Sequence, residues 1–219
     1  MKKFIITLVL ALALTPAFNC IQAKELTIKE LIELSRKKSK AEKRGKTDAK
    51  EKKAAGWVAF EGTSPMEMQM ANQIAYDEAT DDEAMPYFYK GTGTFTSNNK
   101  ASALKYATKN AIQDIAEQID IKVASASEME DETTGAGEYA STVNKNRSTA
   151  KDIVSGRLSG IQPIVKIYRK SGNMFEVNVI IFYSRAKAEQ LAAEAYGKAF
   201  EGNDDLRQRA QEALDNQTK

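Results

Sequence analysis

Ile161-Gln162-Pro163-Ile164-Val165-Lys166-Ile167-Tyr168-Arg169, then Lys170-Ser171-Gly172-Asn173, then Met174-Phe175-Glu176-Val177-Asn178-Val179-Ile180-Ile181-Phe182-Tyr183 is the stretch that decides the fold class. Two β-rich runs joined by four residues with a glycine predict an antiparallel hairpin. In the second run Phe175, Val177, Val179 and Ile181 share one face, while Glu176 and Asn178 lie on the other. A period of two with one polar face belongs to a sheet covered on one side. Ile180 and Phe182 break that polarity, so cover on both faces is expected at that end only.

Upstream, the clearest helix opens after Ser97-Asn98-Asn99, which supply N-cap candidates. Leu104, Ala107, Ala111, Ile112, Ile115 and Ile119 mark one face, with Ala101 and Ala116 as small neighbours. The pattern predicts a helix from about Lys100 to Ile119, extending toward Val123. Residues 125–144, rich in Ser, Thr, Glu and Gly, read as a long loop. A second helix is expected over Lys145 to Leu158, with Ile153, Val154 and Leu158 inward and Gly160 ending it.

Further upstream, Trp57 to Phe60 reads as a short strand and Pro65 opens a helix to about Ala79. Tyr87 to Phe95 reads as a strand whose Gly91 and Gly93 mark a bulge or the close approach of another backbone. Downstream, a helix starts near Ser184, and its end beyond Gly202 reads as loosely attached.

The N-terminal region is strongly charged. Thr27-Ile28-Lys29-Glu30 fits a capping box, and Ile28, Leu31, Ile32 and Leu34 form a short apolar stripe. From Lys29 to Lys53 there are eleven Lys or Arg against five acids, a net of +6. Beyond Leu34 helix propensity is high, but no apolar face is visible, so a solvated helical tether is expected.

The order of elements predicts an α+β fold. The expectation is a small antiparallel sheet packed by a long helix and further helices on one face, with a charged N-terminal helical tether. Its divisions are a signal peptide at 1–23, the tether at 24–55, the α+β domain at 56–200 and a C-terminal helical tail at 201–219.

The chain contains no histidine and one cysteine, Cys20. A Ser-His-Asp or Cys-His arrangement cannot be built, nor can a histidine zinc site. Disulfides within the chain are excluded. No catalytic residue, no cofactor and no metal site is assigned. Gly91-Thr92-Gly93 fails the dinucleotide pattern, because Thr96 stands where the third glycine belongs. Asp77, Glu78, Asp81, Asp82 and Glu83 lack EF-hand spacing and read as a solvated loop. Met66, Met68, Met70 and Met85 read as core filling rather than an adaptable groove. Net charge is only +2, which gives no case for nucleic acid.

Met1-Lys2-Lys3, the apolar run Phe4 to Leu14, Pro16 and the small residue Ala23 have the order of a secretory signal peptide. The run is too short to span a bilayer of roughly 30 Å as a helix. Cleavage after Ala23 discards Cys20. In the alternative reading cleavage precedes Cys20, which is lipidated and anchors the chain. Phe18 and Asn19 are larger than a lipidation signal favours.

Gly56-Trp57-Val58, Tyr89-Lys90-Gly91-Thr92-Gly93, the alanine-spaced helix (Ala101, Ala107, Ala111, Ala116), Leu158-Ser159-Gly160 and Phe175-Glu176-Val177-Asn178-Val179 resemble one known family. It is the membrane-associated lipoprotein-20 family, whose domain is similar to the N-terminal part of the flagellar assembly protein T. The resemblance covers roughly residues 56–185 and rests on small and apolar residues. It implies a non-enzymatic envelope protein of a Gram-negative bacterium, in the periplasm or on the periplasmic face of the outer membrane, often membrane-attached. The chain departs from the family in its longer stretch between Val58 and Tyr87 and in its poor lipidation signal.

The expected function is that of an exported structural or protein-interaction module of the cell envelope, with other envelope proteins as partners. Two alternatives stand beside it. One is a binding module for a small molecule or cell-wall fragment, using a pocket between the long helix and the hairpin. The other is a hydrolase using paired carboxylates or a Ser-Lys pair.

Overall fold

The computed structural model describes residues 27–126 and 138–204, with residues 207, 208 and 212 beyond them. The expected leader, with Cys20, and most of the C-terminal tail lie outside the described residues. In chain order the elements are α1 (Ile28–Ala54), β1 (Val58–Ala59), α2 (Met66–Asp77), β2 (Phe88–Ser97), α3 (Lys100–Ala126), α4 (Glu138–Leu158), β3 (Val165–Ser171), β4 (Met174–Ser184) and α5 (Arg185–Ala199). The fold is α+β, with one antiparallel sheet of order β1-β3-β4-β2.

Two compact units divide the chain. The first takes the chain up to Ala111 together with Ile161–Ser184; the second takes Ile112–Gly160 and the chain from Arg185. This differs from the single domain expected over 56–200. The boundary falls inside α3, whose 27 residues span about 40 Å. Its first part belongs to the sheet unit and its second part to a helical unit with α4 and α5.

In the first unit β3 and β4 form the predicted hairpin. Its connection is only Gly172-Asn173, because Ser171 and Met174 still pair. Gly172 has φ +58°, the left-handed conformation that a two-residue turn requires. β2 pairs with β4 over its whole length, from Phe88↔Ser184 to Ser97↔Phe175, with no bulge.

Register separates the two faces. Phe88, Val165, Ile167, Ile180 and Phe182 share one, packed on Met70, Ile74 and Tyr76 of α2. Gly91, Gly93, Val177, Val179 and Ile181 share the other and are all buried. There the first part of α3 covers Gly93. A β-carbon on Gly93 would stand 1.8 Å from the Ala107 carbonyl oxygen. Of the two roles expected for the strand glycines, close backbone approach is the one found. The helices thus divide between both sheet faces rather than sharing one. Polar Thr94, Thr96 and Glu176 keep the far end of the α2 face open to solvent, as the alternation predicts.

Side-chain hydrogen bonds fix α2 to the sheet. Gln69 is almost fully buried. Its Nε2 donates to Thr63 Oγ1 (3.0 Å) and to the Ser64 carbonyl (2.7 Å), and its Oε1 accepts from the Lys166 N–H (2.8 Å).

α1 starts with the predicted capping box of Thr27 and Glu30. The solvated tether expected beyond Leu34 is not found. Ala41, Gly45 and Ala49 recur every four residues and are buried, with Ala41 and Ala49 in the same core as α2. A β-carbon on Gly45 would lie 2.5 Å from the Ala71 backbone nitrogen. Small residues on an i, i+4 ridge bring two backbones together, so this face buries area without large side chains.

In the second unit helix enters the loop expected over 125–144 from both ends, and residues 127–137 lie outside the described residues. α3 runs to Ala126 and α4 begins at Glu138. Ile115, Ile119 and Val123 of α3, Val143 and Val154 of α4, and Ala192 and Tyr196 of α5 are buried. On α3 Ala103 takes the inward place expected for Leu104, which is half-buried, and Ala101 is exposed.

Candidate functional site

Alternation along β2, β3 and β4 places Phe95, Val177 and Tyr168 in one cross-strand row, continued by Val58 of β1. Phe175 and Lys170 stand opposite each other in the next row toward the turn. Phe60 extends from β1 and meets Tyr168 edge to face, ring centres 4.9 Å apart. The Tyr168 and Phe175 rings are 6.2 Å apart. From α3, the Tyr106 ring lies tilted against Phe95, ring centres 4.8 Å apart. Each such pair contributes about 0.5–1.5 kcal/mol beyond its burial.

Lysines accompany these rings. Lys100 Nζ lies 4.7 Å from the Tyr168 ring centre and 5.7 Å from that of Phe60. Lys170 Nζ lies 5.7 Å from the Phe175 ring centre. The result is an aromatic surface edged by cations. Val58 is 50% exposed, Tyr106 46% and Phe95 36%. Exposed apolar surface of this kind, rimmed by charge, suits protein contact. The sequence marks the Glu176 and Asn178 face as the open one, whereas this surface lies at the end of the opposite, Phe175 and Val177 face; its rings come from parts of the chain too far apart for local pattern to join.

Several carboxylates elsewhere are engaged in structural bonds. Glu30 accepts from the Thr27 N–H at 2.6 Å. Asp77 pairs with Lys90 at 2.9 Å, and Glu78 pairs with Arg44. Asp81 accepts the N–H groups of Glu83 and Met85, closing a local turn. In the helical unit, buried Asp120 receives Arg147 at 3.0 Å and the Tyr196 hydroxyl at 2.5 Å. Burial, and then the Asp120 charge, push the Tyr196 hydroxyl far above its ordinary range. Glu189, also buried, has Lys122 at 3.4 Å and Arg185 at 3.9 Å. Sequence reasoning missed this network. Its signal was Asp120 lying at i+4 from Ala116 and i−3 from Val123, a carboxylate on an otherwise apolar stripe.

At Gly93 the strand β2 lies directly against Ala107 and Ala111, which leaves no room there for the pocket expected between the long helix and the hairpin. Gly91 and Gly93 lie inside β2, opposite Ile181 and Val179, not in a loop before a helix. Met66 and Met70 are core residues, whereas Met85 is exposed. Among the described residues no group of three or more Cys, Asp or Glu side chains is placed to hold a metal. No described helix is long and apolar enough to cross a membrane. No protein-family model, no curated protein and no solved structure matches this chain.

Proposed function

We propose that this chain is an exported, non-enzymatic protein of the cell envelope that works as a structural or protein-interaction module. The observation that carries the reading is the aromatic and lysine surface built by Phe60, Phe95, Tyr106, Tyr168 and Phe175 with Lys100 and Lys170. Large rings that stay half-exposed on a rigid sheet lose little side-chain entropy on contact, which favours binding by shape. The engagement of Glu30, Asp120 and Glu189 in structural bonds supports a non-catalytic role. The leader-like opening and the lipoprotein-20 resemblance support the envelope assignment.

A photo-crosslinking residue placed at Tyr106 tests this in cells. Adducts with envelope proteins, reduced by a Tyr168→Asp substitution on the same surface, are expected. Absence of adducts, or adducts only with cytosolic proteins, overturns the reading. Mass spectrometry of the mature N-terminus accompanies it: cleavage before Lys24 is expected, and an acylated Cys20 would establish the anchored form instead.

A further inference from the structure

Between α1 and α2 lies a cavity of about 260 Å³, lined by Lys38, Glu42 and Lys46 from one helix and by Glu67, Met68 and Asn72 among others from the facing one. This is just under the roughly 300–1,000 Å³ of sites for drug-sized ligands, so it suits something smaller. Three of its polar side chains, buried Asn72 and exposed Glu42 and Lys46, have no hydrogen-bond or ion-pair partner among the described residues.

Asn72 is 9% exposed, and its side-chain amide makes no hydrogen bond among the described residues. A buried amide costs about 1–3 kcal/mol when left unpaired, so one that borders a cavity calls for a partner inside it, water or ligand. Glu42 and Lys46 stand four residues apart in the order that favours an ion pair on a helix. Neither enters an ion pair among the described residues, and both border the same cavity. Glu67, by contrast, is held by Lys53 at 2.5 Å.

We infer that the α1–α2 cavity binds a small zwitterion of amino-acid or dipeptide size. Its carboxylate would meet Lys46, its ammonium Glu42, and its amide or carboxylate the Asn72 side chain. Met68 and Ala71 supply the apolar wall for a short side chain. Opposite charges held one helical turn apart, with an amide able both to donate and to accept, complement a molecule that carries both charges and an amide. This reading is independent of the aromatic surface and goes beyond it.

The test is a titration of the full chain with alanylalanine, followed by amide chemical shifts. Two blocked probes are run beside it: N-acetyl-alanylalanine, without the ammonium, and alanylalanine amide, without the carboxylate. Saturable shifts confined to residues 38–46 and 65–72 are expected, with both blocked probes about tenfold weaker or worse. Glu42→Gln and Lys46→Gln, both at exposed positions, should each weaken the parent dipeptide by a similar factor while leaving the thermal midpoint unchanged. Asn72→Ala should weaken the dipeptide by a similar factor without lowering the thermal midpoint, because it removes a buried amide that has no partner among the described residues of the free protein. Equal binding of parent and blocked probes, shifts mapping elsewhere, or no saturation at millimolar dipeptide overturns the inference.

Discussion

Gly93 of β2 lies against Ala107 of α3 so closely that a methyl group on the glycine would stand 1.8 Å from the Ala107 carbonyl oxygen and 2.6 Å from the Ala111 nitrogen. Both obstacles are helix backbone, which cannot swing aside as a side chain would. Gly93→Ala is therefore expected to cost at least the ~1–3 kcal/mol of an overpacked core. Gly93→Val should prevent folding of the sheet unit. Urea unfolding of both variants checks this, and a Gly93→Ala protein as stable as the parent would refute the contact.

The small-residue face of α1 makes a second prediction. Ala49 is fully buried, whereas its neighbour Lys50 is exposed. Ala49→Glu should destabilise by several kcal/mol, because a charge would enter an apolar contact with no partner. Lys50→Glu should change stability by less than about 0.5 kcal/mol. Equal thermal midpoints for the two variants would restore the solvated tether.

The buried Asp120 responds differently to losing one partner or all. Arg147→Ala strands the carboxylate and is expected to cost about 3–5 kcal/mol. Replacing Asp120, Arg147 and Tyr196 together by Leu, Met and Phe should cost less than Arg147→Ala alone, because no charge is left buried. Circular dichroism melts of the single and triple variants decide the order.

Tyr76 and Tyr196 are both buried, but only one hydroxyl is bonded. Tyr196 donates to Asp120, whereas Tyr76 stacks on Phe182 at 5.0 Å and its hydroxyl has no hydrogen bond among the described residues. At neutral pH Tyr196→Phe should lose about 1–2 kcal/mol, while Tyr76→Phe should be neutral or slightly stabilising. Burial raises both hydroxyls above the ordinary tyrosine value, with the charge of Asp120 adding at Tyr196 and that of Glu30 at Tyr76. The folded state therefore holds the protons that the unfolded chain releases. This stabilisation is fully present below the ordinary value near ~10. It falls by about 1.4 kcal/mol per pH unit per tyrosine as pH rises further. Stability curves of the parent and the Tyr76→Phe, Tyr196→Phe double variant should diverge above that pH; parallel curves would exclude the effect.

Local pattern revealed what depends on local pattern. The β3–β4 hairpin was legible because alternation and a glycine turn lie within one short stretch. The capping box of Thr27 and Glu30 was legible for the same reason. The packing of α1 was not, because Ala41, Gly45 and Ala49 are buried by their smallness, and a search for large apolar residues passes over them. The second cover on the sheet was hinted at by Ile180 and Phe182, but it could not be assigned to α2 without the fold. Nor could sequence show the aromatic surface, which joins Phe60, Phe95 and Tyr168 from distant strands. The α1–α2 cavity depends likewise on which charges fail to pair, a property of three-dimensional placement alone.

Among the described residues β2 finds its one strand neighbour in β4, and Thr94 and the Asn178 that donates to its hydroxyl are separated by 84 positions. At about 5–20 residues per second of synthesis, β2 waits roughly 4–17 seconds for that neighbour to emerge. During this interval Val179 and Ile181 do not yet exist to cover Gly91 and Gly93. The β2 edge of the sheet therefore stays unpaired until most of the chain has been synthesised, which makes closure of the sheet a late event even though α1 and α2 can already pack.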